Sequence, residues 1–312
     1  MTEVKCTTSL RSQLAQSERW RNVKVNALLV LVTMIWGSTF LIVQQTIRLT
    51  GPFTFLAMRF GIGALVLAVV FHKRLARITR AELITGSIIG LFLFGVYALQ
   101  TTGLQYITSS KAGFITGLYV PLVAILAVPL LRQKPTLSSL LGVMLSMAGL
   151  ILISINNAFQ FTFGLGEFLV MGCAVACALH VISISKFAPR VDAMNLALVQ
   201  ITLTAVLSLI AMPIAREPFV LPPLPVWGSA LFMGVAATAF ALAVMNRVQQ
   251  FVSSTQATLI YALELVWVGL LGSLAGEQLS LFAWMGCGCI VLGTIIGELR
   301  LSWMLKKIKS KE

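Results

Sequence analysis

Ten long apolar runs, separated by short polar segments, limit what this chain can fold into. The hydrocarbon core of a bilayer is about 30 Å thick, and a helix of roughly 20 apolar residues crosses it while satisfying its own backbone hydrogen bonds. The runs lie at approximately 25–47, 52–71, 83–101, 110–131, 137–155, 165–185, 194–215, 226–246, 254–275 and 279–298. They are continuous and do not alternate with polar residues, which excludes a transmembrane β-barrel. We therefore predict an all-α integral membrane protein with ten transmembrane helices.

The composition excludes a soluble enzyme and a disordered protein. Charged residues make up 11% of the chain and apolar residues 58%, whereas about 25% of an ordinary globular chain is charged. A water-soluble fold of 312 residues needs more charge on its surface than this. The formal net charge of +13 does not indicate a nucleic-acid partner, because the basic residues follow the alternation that membrane orientation produces.

Basic residues concentrate in the segments that ten crossings place on one side of the membrane. Of the 23 lysine and arginine residues, the exceptions are Arg48, Lys111 and Arg216 on the opposite side and Arg59 within a run. Positively charged segments stay in the cytoplasm, so we expect both the N-terminal segment 1–24 and the basic tail 299–312 there. The tail is also expected to contact anionic lipid headgroups.

The second half of the chain repeats the first. A shift of 144 positions aligns predicted helices 3–5 with helices 8–10 without a gap, and a shift near 141 brings helices 1–2 onto helices 6–7. The longer shift pairs Gly90 with Gly234 and Gln105 with Gln249. Each repeat holds five helices, an odd number, so the second repeat enters the membrane in the opposite orientation. We expect repeat 1 over 25–155 and repeat 2 over 165–298, packed around a central cavity as in many secondary carriers.

Several motifs follow one another in a characteristic order over residues 25–298. They are Trp36-Gly37-Ser38-Thr39-Phe40, Arg59, Val120-Pro121, Glu264 and Gly276-Glu277. This ordered set resembles the drug/metabolite transporter superfamily, EamA branch. Two positions depart from the pattern, since Leu265 replaces a proline and Gln133 replaces a glutamate. The resemblance implies a carrier of a metabolite or drug, usually an exporter, in the cell membrane (the inner membrane of a bacterium). It does not specify the substrate.

Three charged or histidine side chains lie within predicted helices and away from their ends. An ionisable group at membrane depth costs roughly 3 kcal/mol or more in insertion, so it should face the bundle interior or a wet cavity. Glu264 is expected to bind an amine or a coupled proton, or else to hold helices together through hydrogen bonds. Arg59 is expected to pair with an acid or cap a helix end, or else to bind a substrate carboxylate or phosphate. His180 suits proton transfer, or else donates to a backbone carbonyl.

Aromatic and polar residues complete the predicted binding site. Trp36, Phe40 and Gln44 are spaced by four in helix 1, and Tyr261 precedes Glu264 by three positions on the same face of helix 9. An aromatic wall with a few polar anchors suits a zwitterionic or hydrophobic metabolite, although aromatic stripes also occur where helices pack or face lipid. The predicted substrate-binding residues are Trp36, Phe40, Gln44, Tyr97, Gln100, Thr116, Tyr119, His180, Tyr261 and Glu264.

Small residues predict where helices approach one another closely. The pairs Gly86/Gly90, Gly113/Gly117 and Gly293/Gly297 have the spacing that lets backbones come close together. Pro121 predicts a kink in helix 4 because it lacks a backbone N–H. The corresponding position of helix 9 is Leu265, so we expect the two helices to differ in shape at this point.

These patterns predict a secondary transporter that exports a small metabolite, an amino acid or related amphiphile, or a drug by alternating access. A membrane channel or facilitator and a non-transporting scaffold are the alternatives. An enzyme is not expected, because the sequence has no nucleophile–base pair, HExxH motif or nucleotide-binding loop. The five cysteines lack metal-binding spacing, and no metal or cofactor is expected. Proton coupling is one option, and the sequence leaves open whether the protein is a monomer or a homodimer.

Overall fold

The structure, a computed structural model, describes residues 23–39, 42–75, 78–107, 109–155, 164–274 and 280–298. Every regular element within these ranges is helical. The helices are α1 (Val23–Thr46), α2 (Pro52–Val70), α3 (His72–Leu75), α4 (Arg80–Gly103), α5 (Ser109–Gly117), α6 (Tyr119–Leu131), α7 (Leu137–Ile155), α8 (Leu165–Phe187), α9 (Ala193–Ile214), α10 (Leu224–Phe232), α11 (Ala241–Val248), α12 (Ser254–Tyr261), α13 (Leu263–Leu274) and α14 (Leu281–Glu298). A π-helical segment, Met233–Phe240, joins α10 to α11.

Seven helical stretches are long and apolar enough to cross a membrane. They are Val23–Thr46, Pro52–Val70, Arg80–Gly103, Leu165–Arg190, Ala193–Ile214, Leu224–Phe251 and Ser254–Leu271, and three shorter apolar helices cover Ile115–Leu131, Leu137–Leu152 and Leu281–Gly297. Both sides of these helices are apolar: on α2, Leu56 and Phe60 are fully buried whereas Leu65 and Val69 are mostly exposed. A helix that is hydrophobic all round is typical of a membrane span. The chain is therefore a multi-pass membrane protein.

Two of the predicted helices are interrupted at equivalent positions. Predicted helix 4 consists of α5 and α6, which meet at Leu118, and predicted helix 9 consists of α12 and α13, which meet at Ala262. These two residues are 144 positions apart. Pro121 accounts for the first break, because a proline cannot donate a hydrogen bond to the preceding turn. In the second, Leu265 N donates to Ala262 O at 3.3 Å, a tightened turn without a proline. The expectation that the absence of proline would leave helix 9 unlike helix 4 here is wrong.

The glycine pairs lie at helix crossings, as the spacing predicted. A Cβ atom on Gly86 would lie 2.7 Å from Val199 Cβ, and one on Gly293 would lie 2.7 Å from the carbonyl oxygen of Gly142. A Cβ on Gly149 would lie 2.5 Å from the carbonyl oxygen of Gly286. These contacts join α4 to α9 and α7 to α14, so a side chain at these positions would push the helices apart.

Four acidic side chains bind backbone N–H groups at helix N-termini. Glu82 accepts from Thr79 N at 2.8 Å and from Asp192 N at 3.2 Å, which ties the start of α4 to the start of α9. Asp192 accepts from Met194 N, and Glu167 accepts from Gly164 N. Glu217 accepts from the N–H groups of residues 53 and 54, both at 2.8 Å. These carboxylates satisfy the free donors and the positive end of each helix.

Candidate functional site

A cavity of about 110 Å³ lies among α1, α2, α4–α8 and α11–α13. It has room for several water molecules or a small polar ligand, since one water takes about 10–15 Å³ of such space. The structure brings nine of the residues singled out in the sequence to its wall. They are Trp36, Arg59, Tyr97, Gln100, Thr116, Tyr119, His180, Tyr261 and Glu264.

One described residue that was predicted on helix 1 does not belong to this wall. Phe40 lies outside the described residues, and Gln44 is half-buried without lining the cavity. The lining residues of α1 are Trp36, Thr39 and Val43. A step of seven residues turns a helix by about 20° away from its starting direction, whereas a step of eight turns it by about 80°. The spacing of four therefore predicted the wrong side chain at the far end of the stripe.

Trp36 is held by the π segment. Its Nε1 donates to Ala237 O at 2.9 Å, and its ring centroid lies 5.9 Å from that of Tyr261. A π turn is rare and is often found at functional sites because it takes the place of regular i→i+4 bonding. The sequence carried no signal for this segment, and Ala237 was not among the predicted site residues.

Arg59 is buried, with 2% of its surface exposed. Its Nε donates to Thr238 Oγ1 at 2.8 Å, and its Cζ lies 4.5 Å from the ring centroid of Tyr97. The second Arg59 donor, Nη2, is 3.4 Å from the Tyr97 hydroxyl. Arg59 therefore binds Thr238 and stacks on Tyr97, and within the described chain it forms no ion pair with Glu264. Thr238 was not predicted from the sequence.

Glu264 differs from Glu82, Glu167, Asp192 and Glu217, the acidic residues described above. Its carboxylate lines the cavity and accepts no hydrogen bond from any described residue, whereas Glu82, Glu167, Asp192 and Glu217 all bind helix N-termini. Glu264 interacts electrostatically with Arg59, which faces the same cavity. The cavity thus contains a carboxylate and a guanidinium without direct contact between them.

Gly37 brings α1 against Glu264. A Cβ atom on Gly37 would lie 2.6 Å from Trp267 Cβ and 2.9 Å from the carbonyl oxygen of Glu264. Only a glycine lets two helix backbones approach this closely at a crossing. The contact sets Trp36 and Glu264 on the wall of the same cavity.

Two polar side chains at the wall have unusual hydrogen bonding. His180 Nε2 lies 2.9 Å from Gln200 Oε1, so its partner is a side-chain amide and not the backbone carbonyl considered from the sequence. The hydroxyl of Thr116 is buried and has no partner among the described residues. A buried hydroxyl without a partner is costly, and Thr116 is therefore available to a ligand in the cavity.

Cys177 and Thr39 also line the cavity and were not predicted as site residues. Thr39 lies in the motif at helix 1, and a helical step of three from Trp36 would have indicated it. Within the described ranges, no group of three or more histidine, cysteine or acidic side chains is positioned to bind a metal ion.

Comparison with known protein families identifies the family of this chain. The model of the EamA-like transporter family matches the chain twice, over residues 23–155 and 164–297. The chain belongs to this family. This EamA-like transporter is built from two copies of one family unit, and the two copies account for almost all of the described helices.

Relatives and a solved structure agree with the assignment. An uncharacterised transporter of Archaeoglobus fulgidus is 28% identical over 88% of this chain and 85% of its own length. The uncharacterised transporter YyaM of Bacillus subtilis is 23% identical over 88% of this chain and 93% of its own. A crystal structure with 21% sequence identity superposes with a TM-score of 0.73 over 88% of this chain and 96% of that chain. The last likeness concerns the fold alone.

Proposed function

We propose that this EamA-like transporter is a secondary carrier that exports a small metabolite, an amino acid or related amphiphile, by alternating access. All ten apolar helices cross the membrane in this proposal, as two five-helix repeats of opposite orientation over 25–155 and 165–298. Both termini face the cytoplasm, in the bacterial inner membrane. The cavity lined by Trp36, Arg59 and Glu264 is the substrate site.

Contacts along α8 support opposite orientations for equivalent helices. The end of α4 lies beside Gly166, where a Cβ atom would be 2.8 Å from Tyr106 Cβ and 3.4 Å from Gly103 O. The turn after α11 lies beside Val181 and Ser185 of the same helix. Since α8 rises 1.5 Å per residue, the C-terminal ends of α4 and α11 are roughly 25 Å apart along it. This separation supports the proposal that equivalent helices of the two repeats end on opposite sides of the bundle.

The single observation that carries the proposal is the free carboxylate of Glu264. An acid at membrane depth that neither caps a helix nor pairs with a base is expensive unless it serves a ligand or a proton. Aromatic rings of Trp36, Tyr119 and Tyr261 line the same cavity and suit an ammonium group. Arg59 supplies positive charge at the same cavity, so a zwitterion fits the charge distribution.

The test is exchange of labelled amino acids in proteoliposomes that contain the full chain. Saturable counterflow is expected from the parent protein. The Glu264→Gln variant should lose at least tenfold in rate, because an amide neither carries a proton nor pairs with an ammonium, and the remaining flux should not depend on pH. The matched control is Glu167→Gln, which changes an acid at a helix end and should exchange like the parent.

The alternatives give different results in the same assay. Flux that does not saturate favours a channel or facilitator. If no compound in a panel of amino acids, amines and lipophilic drugs exchanges, the protein is a scaffold and the proposal is wrong. If Glu264→Gln exchanges like the parent at every pH, transport stands but Glu264 does not bind the substrate or the proton.

A further inference from the structure

Two equivalent glutamines lie in opposite environments. Gln105 and Gln249 are 144 positions apart, and each follows the end of the equivalent helix in its repeat. Gln249 is fully buried, whereas Gln105 is exposed. The side chain of Gln105 makes no hydrogen bond to any described residue. A glutamine at the same position of each repeat is therefore hydrogen-bonded at one end of the molecule, whereas at the other end it makes no hydrogen bond to a described residue.

Gln249 joins three parts of the bundle at its end of the cavity. Its Nε2 donates to Val181 O at 2.7 Å and to Ser185 Oγ at 2.8 Å, both on α8. Its Oε1 accepts from the Tyr261 hydroxyl at 3.1 Å. Val181 and Tyr261 both line the cavity. The amide of Gln249 thus holds α8 and α12 together directly beyond the cavity wall.

At the other end of the cavity, the equivalent glutamine, Gln105, is not hydrogen-bonded to any described residue. The cavity wall reaches Leu104, the residue before Gln105, and Val43, the residue before Gln44. Val43 and Leu104 belong to the same buried apolar cluster, which joins α1 to the end of α4 on this side of the cavity. Gln44 is 141 positions before Ser185, which is the shift that brings helix 1 onto helix 6. Gln44 therefore stands where Ser185 stands in the other repeat.

We propose that Gln105 and Gln249 close the two ends of the cavity in alternation. In this proposal, the conformation described has the Gln249 end closed and the Gln105 end open. In the opposite conformation, Gln105 binds Gln44 and the backbone of α1, while Gln249 leaves α8 and Tyr261 and becomes exposed. This proposal rests on the transport function proposed above and assigns it two specific closing contacts, with Gln44 as a partner.

Hydrogen bonding explains why the switch between the two conformations would be abrupt. A buried amide that loses its partners is costly, so Gln249 is stable when fully bonded or when exposed to water, and not in between. The Tyr261 hydroxyl connects this contact to the substrate, because the Tyr261 ring lies 5.9 Å from the ring of Trp36 at the cavity. A ligand that moves either ring changes the hydrogen bond to Gln249.

Cys177 provides a reporter for the open side, because it lines the cavity. In the full chain, with Cys6, Cys173, Cys287 and Cys289 replaced by alanine, a membrane-impermeant maleimide is applied to right-side-out or inside-out vesicles. The parent should be labelled mainly from the Gln105 side. Gln249→Ala should raise labelling from the Gln249 side roughly fivefold or more, because three hydrogen bonds that close this end are lost.

The neighbouring residue is a matched control. Gln250 donates to Arg247 O of its own turn and not to another helix. Gln250→Ala should therefore be labelled like the parent. Ser185→Ala removes a single bond to Gln249 and should shift labelling in the same direction by a smaller factor, so the result does not depend on whether Gln249→Ala folds.

Gln105→Ala and Gln44→Ala test the other end. Each should slow exchange while labelling stays on the Gln105 side, because that end can no longer close. The double variant should be no slower than either single variant, because both remove the same contact. Unchanged labelling in both Gln249→Ala and Ser185→Ala, or parental exchange in Gln105→Ala, overturns the proposal. Labelling needs no substrate, so it tests the closing contacts even if no transported compound is found.

Discussion

Two helices that the internal repeat makes equivalent have different structures. Arg80–Gly103 is one continuous α-helix that begins with the Thr79/Glu82 capping box. Its counterpart, Leu224–Phe251, contains the π segment Met233–Phe240 in its middle. The two share a glycine at the same position, Gly90 and Gly234, and both glycines lie at helix crossings. Helix placement is thus common to the two copies, whereas the local backbone is not.

The difference between these helices shows where the site acquires its chemistry. The continuous helix contributes side chains to the cavity wall, including Tyr97 and Gln100. The π segment instead holds residues from other helices, since Ala237 O binds Trp36 and Thr238 binds Arg59. The two copies therefore share a framework of helices, whereas the departure of one copy from regular geometry supplies the groups that bind Trp36 and Arg59.

The largest effect is expected where the π segment crosses α2. A Cβ atom on Gly234 would lie 2.8 Å from Arg59 O and 2.8 Å from Ile62 Cβ. Gly234→Val should lower the free energy of unfolding by about 3 kcal/mol, because the backbone cannot move away from the added side chain. Thermal unfolding in detergent measures this. Gly228→Val is the control, since a Cβ there meets nothing within 4 Å. Equal melting temperatures for the two variants would contradict the close crossing.

A smaller effect is expected when only the bond to Arg59 is removed. Thr238→Val keeps the shape of the side chain but leaves Arg59 Nε buried without an acceptor, which should slow exchange by about tenfold. Thr238→Ser should restore the rate because it restores the hydroxyl.

Thr204→Val controls for the loss of a buried hydroxyl elsewhere. Thr204 Oγ1 donates to Gln200 O within its own helix at 2.8 Å, so this variant should exchange almost like the parent. If Thr238→Val and Thr204→Val exchange equally well, the π segment does not position Arg59.

The smallest effect is expected at Trp36. Trp36→Phe keeps an aromatic ring in the cavity and loses the bond from Nε1 to Ala237 O, so the half-saturation concentration should rise about threefold at an unchanged maximal rate. Trp36→Ala should raise it further. The control is Trp267→Phe, which loses a bond to Thr33 Oγ1 outside the cavity wall and should leave the half-saturation concentration unchanged. If the half-saturation concentration rises only in Trp267→Phe, Trp36 does not contribute to substrate binding.

Much of the site was accessible from residue type and depth in the membrane. Glu264, Arg59 and His180 were found because a charged or ionisable group is expensive in lipid and must face the interior. Gln44 was predicted because it follows Trp36 and Phe40 at steps of four. Repeated steps of four rotate around the helix, and Val43 lines the cavity at this level instead. The break at Ala262 was missed because it has no proline, and the π segment was missed because its sequence, MGVAATAF, is an ordinary apolar run.

The sequence by itself determined that the chain is helical, that it lies in a membrane and that its two halves are copies. These properties follow from the length of the apolar runs and from regular spacing, which act locally along the chain. Only the tertiary structure decided which described acid accepts no hydrogen bond from another described residue. It also decided which backbone carbonyl binds Trp36 and which of the two equivalent glutamines is hydrogen-bonded. Those outcomes depend on contacts between residues far apart in the chain, such as Arg59 with Thr238 and Gln249 with Val181, and hydropathy carries no information about partners.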